Sequence, residues 1–166
     1  MRTSTIVRSG IASVVLIAVL SGCAIGAPSA KRSPSRSLAT VEAAVAEVPG
    51  ATFSAARAWD GTTAYVTATL KASDAFTGDP AQLVDYSLAQ LASQDEVDRG
   101  RFVRFAFEAP GQTVETTRAL LASLDVDSDQ YAGGSSLELA SSDLDKRYGA
   151  WPAAVPELPA SLGATG

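Results

Sequence analysis

The chain has 166 residues, with 18 acidic and 13 basic side chains, one cysteine and no histidine. Without histidine it lacks the commonest general base, and a single cysteine can form no disulfide within the chain. The acidic balance argues against a nucleic-acid partner, because nucleic acids bind to basic surfaces. Composition therefore favours a small globular domain without nucleic-acid binding or imidazole chemistry.

The first twenty residues have the pattern of an export signal. Arg2 and Arg8 precede an uninterrupted stretch of apolar and small residues at positions 11–20. As a helix, ten residues span only about 15 Å, which is about half of the hydrocarbon core of a bilayer. The segment therefore indicates a cleaved signal peptide rather than a permanent membrane span.

This stretch ends in Leu20-Ser21-Gly22-Cys23. All four positions match the lipobox, so the chain resembles bacterial lipoproteins. The resemblance implies lipidation of the Cys23 thiol by a diacylglyceryl group and cleavage between Gly22 and Cys23. It also implies a lipid-anchored protein on the extracytoplasmic face of the cell membrane. Two acyl chains anchor a protein stably, whereas one does so only marginally. The alternative is a chance cysteine in an apolar segment.

Residues 23–37 predict a flexible basic tether. They are small, polar and interrupted by proline, and they include Lys31, Arg32 and Arg36. A segment of this length typically reaches about 20 Å and at most about 45–50 Å. Near anionic headgroups each cation adds about 1 kcal/mol of attraction; the alternative is a merely solvated linker. The domain that follows, residues 38–149, contains 8 basic and 17 acidic residues, a formal charge of −9.

Apolar residues at helical spacing predict three helices and a final helical turn in this domain. Pro49-Gly50 is expected to end the first helix, and an acceptor side chain is expected to cap the start of each of the other three. The segments are marked by Leu38, Val41, Val45 and Val48; by the cap Asp79 before Pro80, with Leu83, Val84, Leu88 and Leu91; by the cap Thr113 with Val114, Leu120, Leu121 and Leu124; and by Ser142 as the cap of a turn at residues 143–148.

Alternating residues predict three strands and a short fourth one. Asp60-Gly61 is expected to form the whole loop of a hairpin, which places Trp59 opposite Thr62. The first three strands then have one apolar face and one polar face. Residues 102–108 form the third strand, with Val103, Phe105 and Phe107 on the apolar face, and residues 136–140 form the fourth.

The order of these elements predicts the fold class α+β. We expect a single small domain with a mainly antiparallel sheet of three to four strands and with helices on one face. The second and third strands, joined by a helix, should form a parallel crossover. This order resembles the ferredoxin-like sandwich with its first strand displaced to the end. The resemblance implies an architecture and no activity.

Residues 150–166 predict an extended, proline-rich tail. Trp151, Val155 and Leu158 alternate with three prolines, which prevents a helix. The tail is expected to dock on its own domain and to bury Trp151, with the residues after Leu158 disordered; the alternative is a proline-rich ligand for another protein. The pattern Tyr-Gly-x-Trp-Pro at 148–152, together with the lipobox, is similar to actinobacterial lipoproteins of uncharacterised function, which implies no activity.

Catalytic motifs are absent from the sequence of the predicted domain. It contains no Gly-x-Ser-x-Gly, Ser-x-x-Lys or glycine-rich phosphate loop, so we predict neither an enzyme nor a cofactor. Asp125, Asp127 and Asp129 match the first three ligand positions of an EF-hand calcium loop. Gln130 and Ser136 then replace the glycine and the glutamate that such a loop requires. A solvated acidic loop is therefore expected, with a weak calcium site as the alternative.

The polar face of the sheet offers a mixture of aromatic, hydroxyl and basic side chains. Aromatic residues and arginine are enriched where proteins meet, although an ordinary hydrated sheet face is the alternative. The sequence thus predicts a membrane-anchored exported lipoprotein with a non-catalytic envelope domain that contacts a protein or cell-wall partner. The alternative function is a small-ligand-binding or cation-binding lipoprotein. The residues of the polar face are Tyr65, Thr67, Thr69, Lys71, Phe102 and Arg104.

Overall fold

A computed structural model of the chain describes residues 36–131 and 134–163. These residues fall within one compact unit, Pro34–Gly166. The predicted signal peptide, Cys23 and the tether as far as residue 35 lie outside the described residues. The elements in chain order are α1 (Leu38–Ala46), β1 (Ala51–Asp60), β2 (Thr63–Ala72), α2 (Pro80–Ala92), β3 (Phe102–Glu108), α3 (Val114–Ser123), β4 (Ser128–Gln130), β5 (Leu137–Ala140) and α4 (Ser141–Tyr148).

The strands form one mixed sheet in the order β1-β2-β3-β5-β4. The pair β2–β3 is parallel, as predicted, and the other three pairs are antiparallel. The α+β class is therefore confirmed, with five strands where three to four were expected. A displaced ferredoxin-like arrangement would insert the last strand between β2 and β3, but here these two strands pair directly and β5 lies outside β3.

All four helices pack on one face of the sheet. Every one of them contributes buried residues to a single hydrophobic core, together with the inward-facing residues of β1, β2, β3 and β5. The predicted core residues Leu88 and Phe105 are both completely or almost completely buried. The largest buried side chains are Phe105, Leu70, Leu83, Leu88, Leu91, Leu121, Leu137, Leu139 and Leu144.

Side-chain caps fix two of the helix starts where the sequence predicts them. Asp79 Oδ1 accepts a hydrogen bond of 2.9 Å from the Ala81 amide at the start of α2. Thr113 and Thr116 form a reciprocal capping box at the start of α3. The predicted cap at Ser142 is wrong, because α4 already begins at Ser141 and its N-cap, Ala140, has no capping side chain.

The β1–β2 hairpin differs from the predicted register by two residues. Asp60 pairs with Thr63, so Gly61 and Thr62 form the loop, and Trp59 lies opposite Ala64 rather than Thr62. Gly61 has a φ of 58°, in the left-handed region that glycine adopts without strain. A shift of two residues preserves the side of the sheet on which every residue lies, so the predicted faces are retained.

Both ends of the described chain contact α2. Arg36 Nη2 donates to Gln90 Oε1 on α2. The Arg36 amide also donates to Asp95 Oδ1 and the Asp95 amide donates to the Arg36 carbonyl, so Arg36 is attached to the domain. The tail follows α2 in the opposite direction, with a bond of 2.8 Å from the Ala153 amide to the Ala92 carbonyl. None of the helices among the described residues is long and apolar enough to cross a membrane.

Candidate functional site

The face of the sheet opposite the helices is uncovered in the part of the chain that the structure describes. Successive residues of a strand point to opposite faces, so the alternation that buries Val103, Phe105 and Phe107 places Phe102 and Arg104 on this open face. In β2 the same alternation buries Val66 and exposes the Thr67 position to the open side. All six residues that the sequence assigns to the polar face therefore lie together on one surface.

An arginine–aromatic cluster occupies one end of this open face, and we define it as Tyr65, Phe102, Arg104, Tyr131 and Glu138. The rings of Tyr65 and Phe102 are stacked, with centroids 4.9 Å apart and an interplanar angle of 19°. The Arg104 guanidinium lies 3.7 Å from the ring centroid of Tyr131 and 4.5 Å from that of Tyr65. The cation thus makes favourable cation–π contacts with two phenol rings.

Hydrogen bonds fix the position of the same guanidinium. Arg104 Nη1 donates to Tyr65 Oη at 3.1 Å, and Nη2 donates to Glu138 Oε1 at 2.9 Å. Arg104 and Glu138 are direct partners across the β3–β5 pair, so the backbone itself sets their distance. Only 14% of the Arg104 side chain is exposed. The cluster is therefore prearranged and offers a partner a fixed surface.

The charge of Arg104 is maintained by its neighbours. Burial lowers the pKa of the guanidinium, but the hydrogen bond to Glu138 and the nearby Tyr65, Tyr131 and Glu138 side chains outweigh burial and raise it. Its Nε is buried and has no hydrogen-bond partner within the described residues. The cluster therefore contains a permanent cation whose buried Nε–H has no partner among the described residues.

Small and hydroxyl side chains cover the middle of the open face. Thr67 and Thr69 project from β2 and are partly buried, and Thr67 Oγ1 donates to the Ala56 carbonyl on β1 at 3.2 Å. At the far end Lys71 and Glu108 form an exposed ion pair of 2.7 Å. The centre of the open face thus carries shorter side chains than its two ends, where the cluster and this ion pair lie.

Two members of the cluster, Tyr131 and Glu138, are not among the residues that the sequence assigns to the polar face. Glu138 alternates with the core residues Leu137 and Leu139, and this period of two would have placed it on the polar face. Tyr131 directly follows β4, whose three residues are too few to show any period. Its position over Arg104 depends on pairing between distant strands, which the sequence alone does not reveal.

The acidic segment that resembles a calcium loop does not have that geometry. Asp125 has a φ of 54° and lies two residues after the end of α3, whereas Asp129 lies within β4. Asp127, Asp129, Glu138 and Asp143 line a shallow depression of about 370 Å³ beside β4 and β5. Within residues 36–131 and 134–163 no three acidic, histidine or cysteine side chains come close enough together to hold a metal ion.

A separate cleft of about 320 Å³ lies where the two parallel strands end. The last residues of β2 and β3 and the segments that follow them form its walls, with Phe76 and Phe107 as the apolar part and Asp74 and Gln112 as polar parts. The carboxyl ends of parallel strands are a common position for ligand sites. The cleft is therefore a second candidate, although Asp79 already occupies the first free amide of α2.

Comparison of the chain with protein-family models, curated proteins and solved structures finds no match. The functional argument consequently depends on the residues of this chain alone. Cys23, the predicted lipidation site, lies outside the described residues, and the open face is the strongest candidate site within them.

Proposed function

We propose that the chain is an exported lipoprotein whose domain makes non-catalytic contacts with a protein or cell-wall partner in the envelope. Residues 1–22 act as the signal peptide, Cys23 carries the lipid, and residues 23–37 tether the domain to the extracytoplasmic face of the membrane. The supporting observation in the sequence is the coincidence of a basic start, an apolar stretch and a complete lipobox at residues 20–23.

The observation that carries the contact function is the prearranged arginine–aromatic cluster on an uncovered sheet face. Aromatic residues and arginine supply most of the binding energy at protein interfaces, because they bury a large area at a small cost in conformational entropy. Arg104 is already held by Tyr65 and Glu138 before any partner arrives. Little ordering of these side chains is then required on binding.

The experiment is site-specific photocrosslinking in intact cells. A photoreactive residue at Thr69, in the centre of the open face, should yield a specific crosslinked partner. The same residue at Ala119, an exposed position on α3, is the matched control and should not. Tyr131→Ala should reduce the crosslinking yield at Thr69 by roughly tenfold, as expected for loss of an interface aromatic.

Equal labelling from Thr69 and Ala119, or labelling that Tyr131→Ala leaves unchanged, would contradict the contact function. Circular dichroism of Tyr131→Ala controls for folding. Tyr131 is exposed, so the variant should have the secondary structure of the wild type.

Small-ligand binding remains a second candidate because of the cleft at the ends of β2 and β3. Phe76 and Phe107 give it an apolar wall, and its volume of about 320 Å³ is at the lower end of small-molecule sites. Any ligand that binds only the folded state raises the melting temperature. A thermal-shift screen on the wild type and on Gln112→Leu would detect such a ligand, and a shift that Gln112→Leu abolishes would favour this function.

A further inference from the structure

The tip of the β1–β2 hairpin carries the most exposed large apolar side chain among the described residues. Trp59 is 60% exposed, compared with 56% for Val155 and 39% for Tyr131. It lies on the helix side of the sheet, but it is not among the side chains packed in or against the core. The Arg57 guanidinium lies 5.0 Å from the Trp59 ring centroid. Trp59 therefore lies on the apolar side of the sheet, at a point that the helices do not cover.

This hairpin tip lies at the end of the domain where the tether arrives. The backbones of Arg36 and Asp95 are joined by a hydrogen bond of 3.0 Å. From Asp95 the chain continues to Arg101, whose amide donates to the Ala64 carbonyl at 3.2 Å. Ala64 is the direct partner of Trp59 across the hairpin. The entry point of the chain and Trp59 thus lie at the edge of the domain where β2 and β3 begin.

Charge distinguishes this end from the remainder of the acidic domain. The segments 57–63 and 95–101, taken with Arg36 and with Asp145, which pairs with Arg99, contain four arginines and five carboxylates. The other described residues contain five basic and thirteen acidic side chains. An anionic surface repels the domain least when the domain approaches with this least acidic end first. The hairpin end is therefore the end that electrostatics favours for contact with anionic headgroups.

We propose that Trp59 inserts into the membrane interface and gives the anchored domain a second, reversible contact with the bilayer. This inference rests on the proposed lipid anchor, which keeps the domain close to the membrane. Residues 24–35 separate Cys23 from Arg36, and a chain of that length typically spans about 20 Å. The bilayer surface thus lies within ordinary reach of the hairpin.

The chemistry of the tip fits a lipid interface better than a protein partner. Its neighbours Asp60, Gly61 and Thr62 are exposed and offer little apolar area. A stable protein interface buries about 800 Å² on each partner, more than one side chain on a narrow tip supplies. A single tryptophan, in contrast, is enriched at the headgroup level, where its ring is buried and its indole N–H remains hydrated.

The test uses the mature chain, residues 23–166, without its lipid as Cys23→Ser. Partitioning onto phosphatidylcholine vesicles, with and without phosphatidylglycerol, is measured by sedimentation. Trp59→Ala should weaken partitioning by roughly tenfold, because the side chain can no longer be buried in the interface. Tyr131→Ala is the matched control, since it removes another exposed aromatic of the described residues, on the open sheet face, and it should leave partitioning unchanged.

The depth of Trp59 in the bilayer is measured with lipids brominated in their acyl chains. Tryptophan emission of the acylated wild type should be quenched, and Trp59→Phe, which retains Trp151, should lose that quenching. Absence of quenching, or equal weakening by Trp59→Ala and Tyr131→Ala, overturns the inference. Crosslinking from position 59 to a protein in cells, without lipid quenching, assigns the tip to a protein partner and also overturns it. Failure of acylation in cells would refute the anchor and leave the vesicle results interpretable.

Discussion

Among the described tyrosines, Tyr148 has the pKa that the folded structure raises most. Its hydroxyl donates to Asp85 Oδ1 at 2.9 Å, and Arg147 Nε donates to the same oxygen at 2.8 Å. Burial raises the pKa of Tyr148, and the negative charge of Asp85 and the hydrogen bond to it raise the pKa further. Folding therefore favours the neutral phenol, because burial and the adjacent carboxylate both disfavour its ionised form.

This shift predicts a loss of stability at alkaline pH. Below about pH 10 the phenol is protonated in both states, so its contribution to stability is fully present. Above that pH the unfolded chain ionises at Tyr148 while the folded chain does not. The free energy of unfolding should then fall by about 1.4 kcal/mol per pH unit because of this residue alone.

Urea unfolding of the wild type and of Tyr148→Phe between about pH 7 and about pH 11 measures the effect. The variant should be less stable by about 1 kcal/mol near neutral pH, where it loses a hydrogen bond. Its stability should also decline less steeply above pH 10. Parallel declines in the two proteins would show that Tyr148 does not carry the alkaline transition.

Single residues also show what the sequence can and cannot reveal. The caps at Asp79 and Thr113 were predictable because a cap bonds to amides two or three residues further along the chain. The contact of Tyr131 with Arg104 was not, since the short strand β4 brings these residues together only after the sheet has formed. Contacts between residues close in the chain can therefore be predicted from the sequence, whereas contacts that depend on pairing between distant strands cannot.

The C-terminal tail behaves as an element of the fold, although it has no regular secondary structure. Trp151 packs against the core, which agrees with the expected self-docking. Gln90 Nε2 donates to the Pro156 carbonyl at 3.3 Å, so the tail covers a side of α2 that would otherwise face water. The expected disorder after Leu158 is wrong for residues 159–163, because Leu162 is only 2% exposed.

Two substitutions in the tail should therefore differ in their cost. Leu162→Ala removes a buried side chain and should lower the melting temperature by roughly 10 °C, on the scale of about 2–3 kcal/mol. Val155→Ala is the matched control, since Val155 is 56% exposed, and it should cost less than about 0.5 kcal/mol. Equal melting temperatures for both variants would mean that the end of the tail is not docked in solution.

At the same scale, the hairpin shows why faces are predicted more reliably than loops. Asp60-Gly61 is a strong turn signal, but Asp60 instead pairs with Thr63 and the turn moves by one residue. The register changes by two, so Phe53 and Leu70 remain on the buried side. Sequence periodicity determines the sides of the sheet, whereas packing determines the position of the turn.

For the whole molecule, the decisive prediction concerns its attachment to the membrane. Cys23→Ala removes the only thiol, so the variant should incorporate no labelled fatty acid and should accumulate uncleaved or mislocalised. Metabolic labelling followed by membrane fractionation measures both effects, and Ser21→Ala, which keeps a small residue before the cysteine, is the control. A Cys23→Ala protein that is still labelled and cleaved would disprove the lipoprotein assignment.

Because the tail runs antiparallel to α2, the described chain begins and ends at opposite ends of this helix. The chain enters beside Asp95, near the end of α2, and Leu162 returns to the region of Gly78, near its start. The thirteen residues of α2 place these points about 20 Å apart. A fluorescent protein or affinity tag joined beyond Leu162 would therefore start from the end of the domain remote from Arg36, where the chain enters. Such a fusion leaves the hairpin tip free and can test the proposed anchor in living cells.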